Sequence, residues 1–415
     1  VRLQVHPVLA VCALLGLGAA WLLPLLRVAP NRLMSGEPVY LASVLPGWGW
    51  SLVLPVFVLL IQPSSTGGTF NKQPPNAISS QLRVAALPLL MALGLASLFW
   101  LAATHAQQVA QTQSSLTRTS LGAGFWCLVA LAWLMSLDAV QRLSASSTAR
   151  SGVLALVAAP TLLLLALGVG KDLSLLKEYV NREEVFWLAL LRHLQIVATA
   201  IVPSILLGLP LAWACTRRAG LRQWLFPLLN IVQTVPSIAL FGLLMAPLAW
   251  LALQFPGLAK AGVSGVGLAP AVLALVLYSL LPIVRSGLAG LEQVPVAAKT
   301  AALAMGMSER QIFWQVQLPL ALPVLLPGLR AAVVQTIGLT AVTALVGAGG
   351  LGSLMFDGLF SAANDLVLLG VLPIVLLAML ADALFKAMIA WVQPIGFSEA
   401  DASATPLAQV SGRIR

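Results

Sequence analysis

An all-α polytopic membrane protein with about ten transmembrane helices is the fold class this sequence predicts, on three observations. Of its 415 residues, 60% are hydrophobic and 9% charged, with a mean hydropathy of +0.96. A soluble domain carries about 25% charged residues. Apolar stretches near the roughly 20 residues that cross a bilayer recur along the whole chain. With the N-terminus inside, roughly 15 of the 23 Lys and Arg residues fall on the inner side of the spans. That bias places both termini in the cytoplasm. It also assigns the net charge of +10 to topology in a lipid bilayer rather than to a nucleic-acid partner.

The predicted spans are 8–26, 46–62, 84–103, 122–141, 152–170, 188–215, 224–250, 268–290, 320–347 and 366–392. All are expected as helices, because an open strand leaves backbone N–H groups unpaired in hydrocarbon. The first follows Arg2, has no clean A-x-A cleavage site and reads as a retained anchor; the leading Val1 leaves the true start open. The second holds Pro46, Trp50 and Pro55 and is the weakest of the ten. Residues 63–83, rich in Pro, Gly, Ser and Asn, read as an irregular cytoplasmic linker. The charged segment 171–187 reads as a short helix on the outer face. Three parts result: 1–180 with five spans, 181–395 with five spans around a polar loop at 292–319, and a cytoplasmic tail at 396–415.

The seventh span contains Pro227, Pro236 and Pro247, with Asn230, Gln233, Thr234 and Ser237 gathered around Pro236. Each proline frees a carbonyl that must find a partner in a neighbouring helix or a wet cavity. The polar groups beside it therefore bind other helices or line a transport route. Asp138, Arg285, Arg330 and Asp382 lie towards cytoplasmic span ends, where snorkelling accounts for them, and no carboxylate sits at mid-membrane to support proton coupling. The run Gly347-Ala348-Gly349-Gly350-Leu351-Gly352 matches G-x-G-x-x-G but follows about 25 apolar residues, so it ends a span rather than cradling a dinucleotide. Cys12, Cys127 and Cys215, like His6, His105 and His193, are too scattered for a metal site. No G-x-x-x-x-G-K-[ST] occurs, so any ATP, with its Mg, is expected to be used by a separate subunit, with no cofactor held here and no enzyme activity in this chain.

The polar loop carries Thr300-Ala301-Ala302, three residues, Gly306, nine residues, then Val316-x-Leu318-Pro319. This closely resembles the EAA loop of ABC-importer permeases, E-A-A-x3-G-x9-I-x-L-P, with Thr300 in place of Glu and Val316 in place of Ile. QTVPSIALFGLL (233–244), LYSLLPIVRSGLAGL (277–291), AMGMSERQIFWQVQLPLALP (304–323) and LVGAGGLGSLMFDGL (345–359) resemble the osmoprotectant group of these permeases. APNRLMSGE (29–37), RTSLGAGFW (118–126) and DLSLLKEYVNREEVF (172–186) are similar to glycine betaine uptake permeases with a long extra N-terminal membrane region.

The resemblance implies a type I permease core in the inner membrane, with two permease subunits, two nucleotide-binding ATPase subunits and an extracytoplasmic substrate-binding protein. The cargo it implies is glycine betaine or a related solute such as choline, carnitine or proline betaine. Specificity would rest mainly with the binding protein, where aromatic faces hold a quaternary ammonium. Coupling to the ATPase is expected at 300–319, with Gly306 as the bend and Ile312, Phe313 and Trp314 as the apolar docking face. The substrate pathway is expected at Gln233, Thr234, Pro236, Ser237 and Tyr278. The alternatives are an ATPase-independent secondary transporter or channel, and an ABC permease for another small organic ion or amino acid.

Overall fold

The computed structural model describes residues 3–5, 7–31, 34, 36–45, 61–63, 77–114, 116–142 and 147–392. Its two compact units are Val1–Glu183 with Ala362–Asp365, and Glu184–Ser361 with Leu366–Arg415. Among the described residues, seven helices are long and apolar enough to cross a membrane: Ala86–Thr112, Ala123–Arg142, Glu183–Arg217, Ser237–Gln254, Leu268–Glu292, Glu309–Thr340 and Asn364–Val392. Three more apolar helices, Val8–Leu22, Gly152–Ala166 and Leu351–Phe360, are shorter. The helical membrane class stands, with fewer full-length spans among the described residues than the ten expected. Residues 46–60 of the second expected span lie outside the described residues.

In the first unit, β1 (Leu3–Val5) pairs antiparallel with β4 (Ile61–Pro63). Helix α1 (Pro7–Leu22) runs directly into β2 (Pro24–Ala29). Strand β2 is the centre of a three-stranded antiparallel sheet, between β3 (Glu37–Tyr40) and β5 (Arg118–Leu121). This corrects the first expected span, 8–26: its helix stops at Leu22, where Pro24 has no N–H to continue it. Leu25 and Leu26 are fully buried, and β2 is bonded along both edges, so its backbone needs no water. A single turn, α2 (Leu41–Val44), follows β3. Helix α3 (Ala77–Thr112) begins inside the expected linker, which is thereby shortened from its C-terminal end. Helices α1, α3 and α4 (Ala123–Arg142) bury Leu9, Cys12, Leu87, Met91 and Met135 in one cluster. Helix α5 (Ser147–Ala166) and the amphipathic α6 (Ser174–Asn181) complete the unit.

The second unit begins with α7 (Glu183–Arg217). The expected span 224–250 is two helices, α8 (Ala219–Thr234) and α9 (Ser237–Gln254), broken at Pro236. A short α10 (Pro256–Lys260) leads to α11 (Leu268–Glu292), whose buried residues, from Pro270 to Leu291, make it the core of the unit. After the polar loop come α14 (Leu318–Thr340), a 3-10 turn (Val342–Val346), α15 (Leu351–Phe360) and α16 (Asn364–Val392). The labels α12 and α13 belong to the loop itself, Val296–Ala304 and Glu309–Ile312.

Helices α11 and α14 approach closely because small residues face each other. A Cβ on Gly328 would overlap Ser286 and meet the Pro282 carbonyl 2.7 Å away. Higher up, Ser279 Oγ and Thr336 Oγ1 lie 2.8 Å apart in a buried interhelical hydrogen bond. Where α14 tightens into the 3-10 turn, Ala341 bonds to the Gly338 carbonyl. His193, fully buried on α7, fills the gap with its Nε2 3.2 Å from the Ile337 carbonyl. This is a packing role for a histidine near a span end. Gly347, Gly349 and Gly350 all take positive φ in the turn that leads into α15.

Candidate functional site

The polar loop folds as an elbow of two short helices. The run VAAKTAALA favours α12, and the helix starts behind Pro295. It ends at Gly306, which takes φ +80. Gly306 N–H donates to the Leu303 carbonyl at 2.9 Å and Met307 N–H to the Ala302 carbonyl at 3.2 Å, the paired bonds of a Schellman motif. The next turn is capped at once. Ser308 N–H donates to Gln311 Oε1 at 2.8 Å, while Ser308 Oγ accepts from Gln311 N–H at 3.4 Å. This reciprocal capping box is spelled Ser308-x-x-Gln311 and was open to sequence reading, though the expected site omitted it. Helix α13 then widens into a π-turn over Phe313–Gln317 before α14. Pro319 offers no N–H to the Gln315 carbonyl, which removes the α-helical bond at that point.

Thr300 and Ala301 face outward, with Thr300 Oγ1 donating back to the Val296 carbonyl at 3.1 Å, while Ala302 is buried. The three apolar residues expected on the docking face differ in exposure. Ile312 is 4% exposed, and Phe313 packs inward on Leu291, Val294 and Ala321 and edge-on to Trp213. Ile312 closes the single turn that the capping box starts, and Phe313 opens the π-turn after it. Trp314 is 58% exposed, Val316 and Leu318 are half-buried, and Pro319 is exposed. The outward apolar residues that the motif did not single out are Val296 and Met305, 76% and 75% exposed, with Leu303. Arg217 braces the elbow: its Nη2 lies 3.0 Å from Glu309 Oε2 and its guanidinium sits 4.4 Å over the Trp213 ring. Arg222 binds Glu292 at 2.7 Å. Both pairs are exposed, so they orient the elbow more than they stabilise it.

The residues expected in the pathway separate into two groups. Gln233 lines a groove of about 480 Å³ with Arg285, Ser286, Gly328 and Gln335, on α8, α11 and α14. Gln335 Nε2 reaches Gln233 Oε1 at 3.5 Å, and Arg285 Nη2 reaches Asn230 Oδ1 at 3.5 Å. Thr234, Pro236, Ser237 and Tyr278 do not line it. Thr234 Oγ1 donates to the Ile231 carbonyl at 2.7 Å, and Pro236 and Ser237 form the break between α8 and α9. Tyr278 faces the packed core rather than the groove. It is buried, its hydroxyl donates to the Val235 carbonyl, and its ring is enclosed by neighbouring helices. Its own carbonyl, freed because Pro282 has no N–H, accepts from Gln233 Nε2 at 2.5 Å. Tyr278 thus bonds the broken helix through both its hydroxyl and its carbonyl.

Arg285 was missed as a groove residue, because its place near a span end suggested snorkelling. It forms no ion pair with any of the described residues. By contrast, Arg330 is bound by Asp382, which also takes Lys386 at 2.7 Å. A polar strip of two glutamines, a serine and an arginine without an ion-pair partner among the described residues is costly against lipid, so this face looks onto water or another protein surface.

Residues 2–176 match the family described as the N-terminal domain of ABC transporter permease YehY. Residues 204–394 match that of the binding-protein-dependent transport system inner membrane component. The osmoprotectant import permease protein OsmW of Salmonella typhimurium is 38% identical over 209 residues, which is 49% of this chain and 90% of that one. The glycine betaine/carnitine/choline transport system permease protein OpuCD of Bacillus subtilis is 36% identical over 193 residues, 46% of this chain and 77% of its own. A solved inward-facing MetNI methionine ABC transporter aligns over 51% of this chain and 98% of its own at 22% identity, with a TM-score of 0.43.

Proposed function

From the premise that this chain belongs to the binding-protein-dependent ABC permease family, with a YehY-type N-terminal region, we propose that it carries glycine betaine or a related compatible solute inward. Choline, carnitine and proline betaine are the nearest alternatives within that class. The names of its relatives support the cargo. ATP is hydrolysed on separate nucleotide-binding subunits, an extracytoplasmic protein delivers the solute, and a second permease subunit completes the route in the inner membrane. Both termini lie in the cytoplasm.

The observation that carries the coupling role is the elbow's outer face, where Val296, Leu303 and Met305 project from a polar loop. An apolar patch of this kind, ringed by polar groups, fits a groove on a soluble partner. The elbow joins α11 to α14, which pack too closely to slide past one another. Displacement of the elbow is therefore passed to both helices as a rigid body, and the groove lined by Gln233, Arg285 and Gln335 opens to alternate sides.

The test is to purify the full permease from its native membrane with its bound subunits, as wild type and as Leu303→Asp/Met305→Asp. Wild type should retain a nucleotide-binding subunit and support ATP-driven uptake of labelled glycine betaine in vesicles. The variant should insert normally and lose both. A variant that keeps the subunit and the uptake rate overturns the assignment of this face.

A further inference from the structure

We infer that a cavity of about 710 Å³ behind the elbow is a binding site for an anionic phospholipid. The floor is apolar, made by Leu209, Leu291, Ile312, Phe313 and Leu325. Lys299 and Arg310 stand on the rim, and neither forms an ion pair with any of the described residues. The third cation, Arg217, is already taken by Glu309 and by the Trp213 face. Glu309 also lines the cavity and answers Arg217, so the lining keeps two positive charges in excess beside an apolar floor.

Place in the fold selects the ligand. The cavity lies where α7 and α11 end and α14 begins, which is headgroup depth for spans of this length. Trp213 and Trp314 line it, and tryptophans favour that same layer. A small soluble anion satisfies the rim and leaves the floor empty. A neutral acyl chain does the reverse. One phosphodiester on a diacylglycerol satisfies both, and a choline headgroup brings a cation back against Lys299 and Arg310. Basic pockets between transmembrane helices select acidic headgroups on this principle. The inference does not depend on which solute is carried.

The experiment strips the full-length permease of lipid and exposes it to vesicles of equal phosphatidylglycerol and phosphatidylcholine. Lipids that survive re-extraction are then counted by native mass spectrometry. Wild type should retain phosphatidylglycerol in excess. Lys299→Gln/Arg310→Gln should bind it about thirtyfold more weakly, from two lost surface cations, and show no preference. Lys299→Arg/Arg310→Lys should keep the preference, which separates charge from folding. If the neutral pair does not fold, Lys299→Gln alone should show part of the loss. Glycerol phosphate added at high concentration should not displace the lipid. Equal retention of both lipids by wild type, an undiminished excess in the neutral variants, or displacement by glycerol phosphate overturns the inference.

Discussion

Replacing Gly306 isolates the contribution of one backbone angle. Its φ of +80 lies in the left-handed region, and a Cβ built there meets nothing within 4 Å. The substitution is therefore penalised by conformation alone. An alanine in that region costs about 1–2 kcal/mol, an asparagine less, and a β-branched valine more. Each ~1.4 kcal/mol is a tenfold change in population. Gly306→Ala should thus leave the bend formed in about a tenth as many molecules relative to its alternatives, with Gly306→Asn milder and Gly306→Val more severe. The assay compares ATP hydrolysis with solute uptake in vesicles, alongside membrane insertion. Uptake per ATP should fall in the order Gly, Asn, Ala, Val while insertion stays constant. Equal coupling in the Val variant, or an Asn variant worse than Ala, refutes the reasoning.

Three further outcomes follow from the packing. Gly328→Ala should lower the thermal stability of the permease by about 1–3 kcal/mol through overpacking against Ser286, and Ser286→Gly in the same chain should restore part of it; no rescue would mean the two helices do not meet there. Tyr278→Phe leaves the Val235 carbonyl unpaired and should cost about 1–3 kcal/mol of stability with no change in the KM for solute. A shifted KM at unchanged stability would return Tyr278 to the pathway. Arg285→Gln should reduce uptake about tenfold or more while Arg285→Lys keeps most of it, since hydrogen bonds to charged groups contribute about 1.5–3 kcal/mol. Uptake insensitive to both would make this arginine an anchor in the headgroups.

The helical membrane class was legible from composition alone, because oil leaves the backbone few other options. The bend at Gly306 was legible from its spacing, and the capping box beside it from Ser308 and Gln311. The strand Pro24–Ala29 was not. Its six residues, PLLRVA, are apolar enough to read as the tail of a span and too short for an alternating pattern to declare itself. The break at Pro236 was hidden by the apolar length of the whole segment 224–250, although the proline and the polar residues beside it were visible. Direction was the hardest property to read. Ile312 and Phe313 pack inward while Trp314 next to them is exposed, a direction that spacing could not give because a one-turn helix followed by a π-turn follows no fixed period. Arg285 and Gln335 are 50 positions apart in sequence, and only the close approach at Gly328 brings them to one groove.

The two arms of the elbow are fastened together along their length as well as at its apex. Between Gly328 and the Ser279–Thr336 bond there is no slack for either arm to yield alone. Under the coupling proposed above, a stroke delivered at the apex reaches the far end of both helices together, as torque in a crank keyed to its shaft.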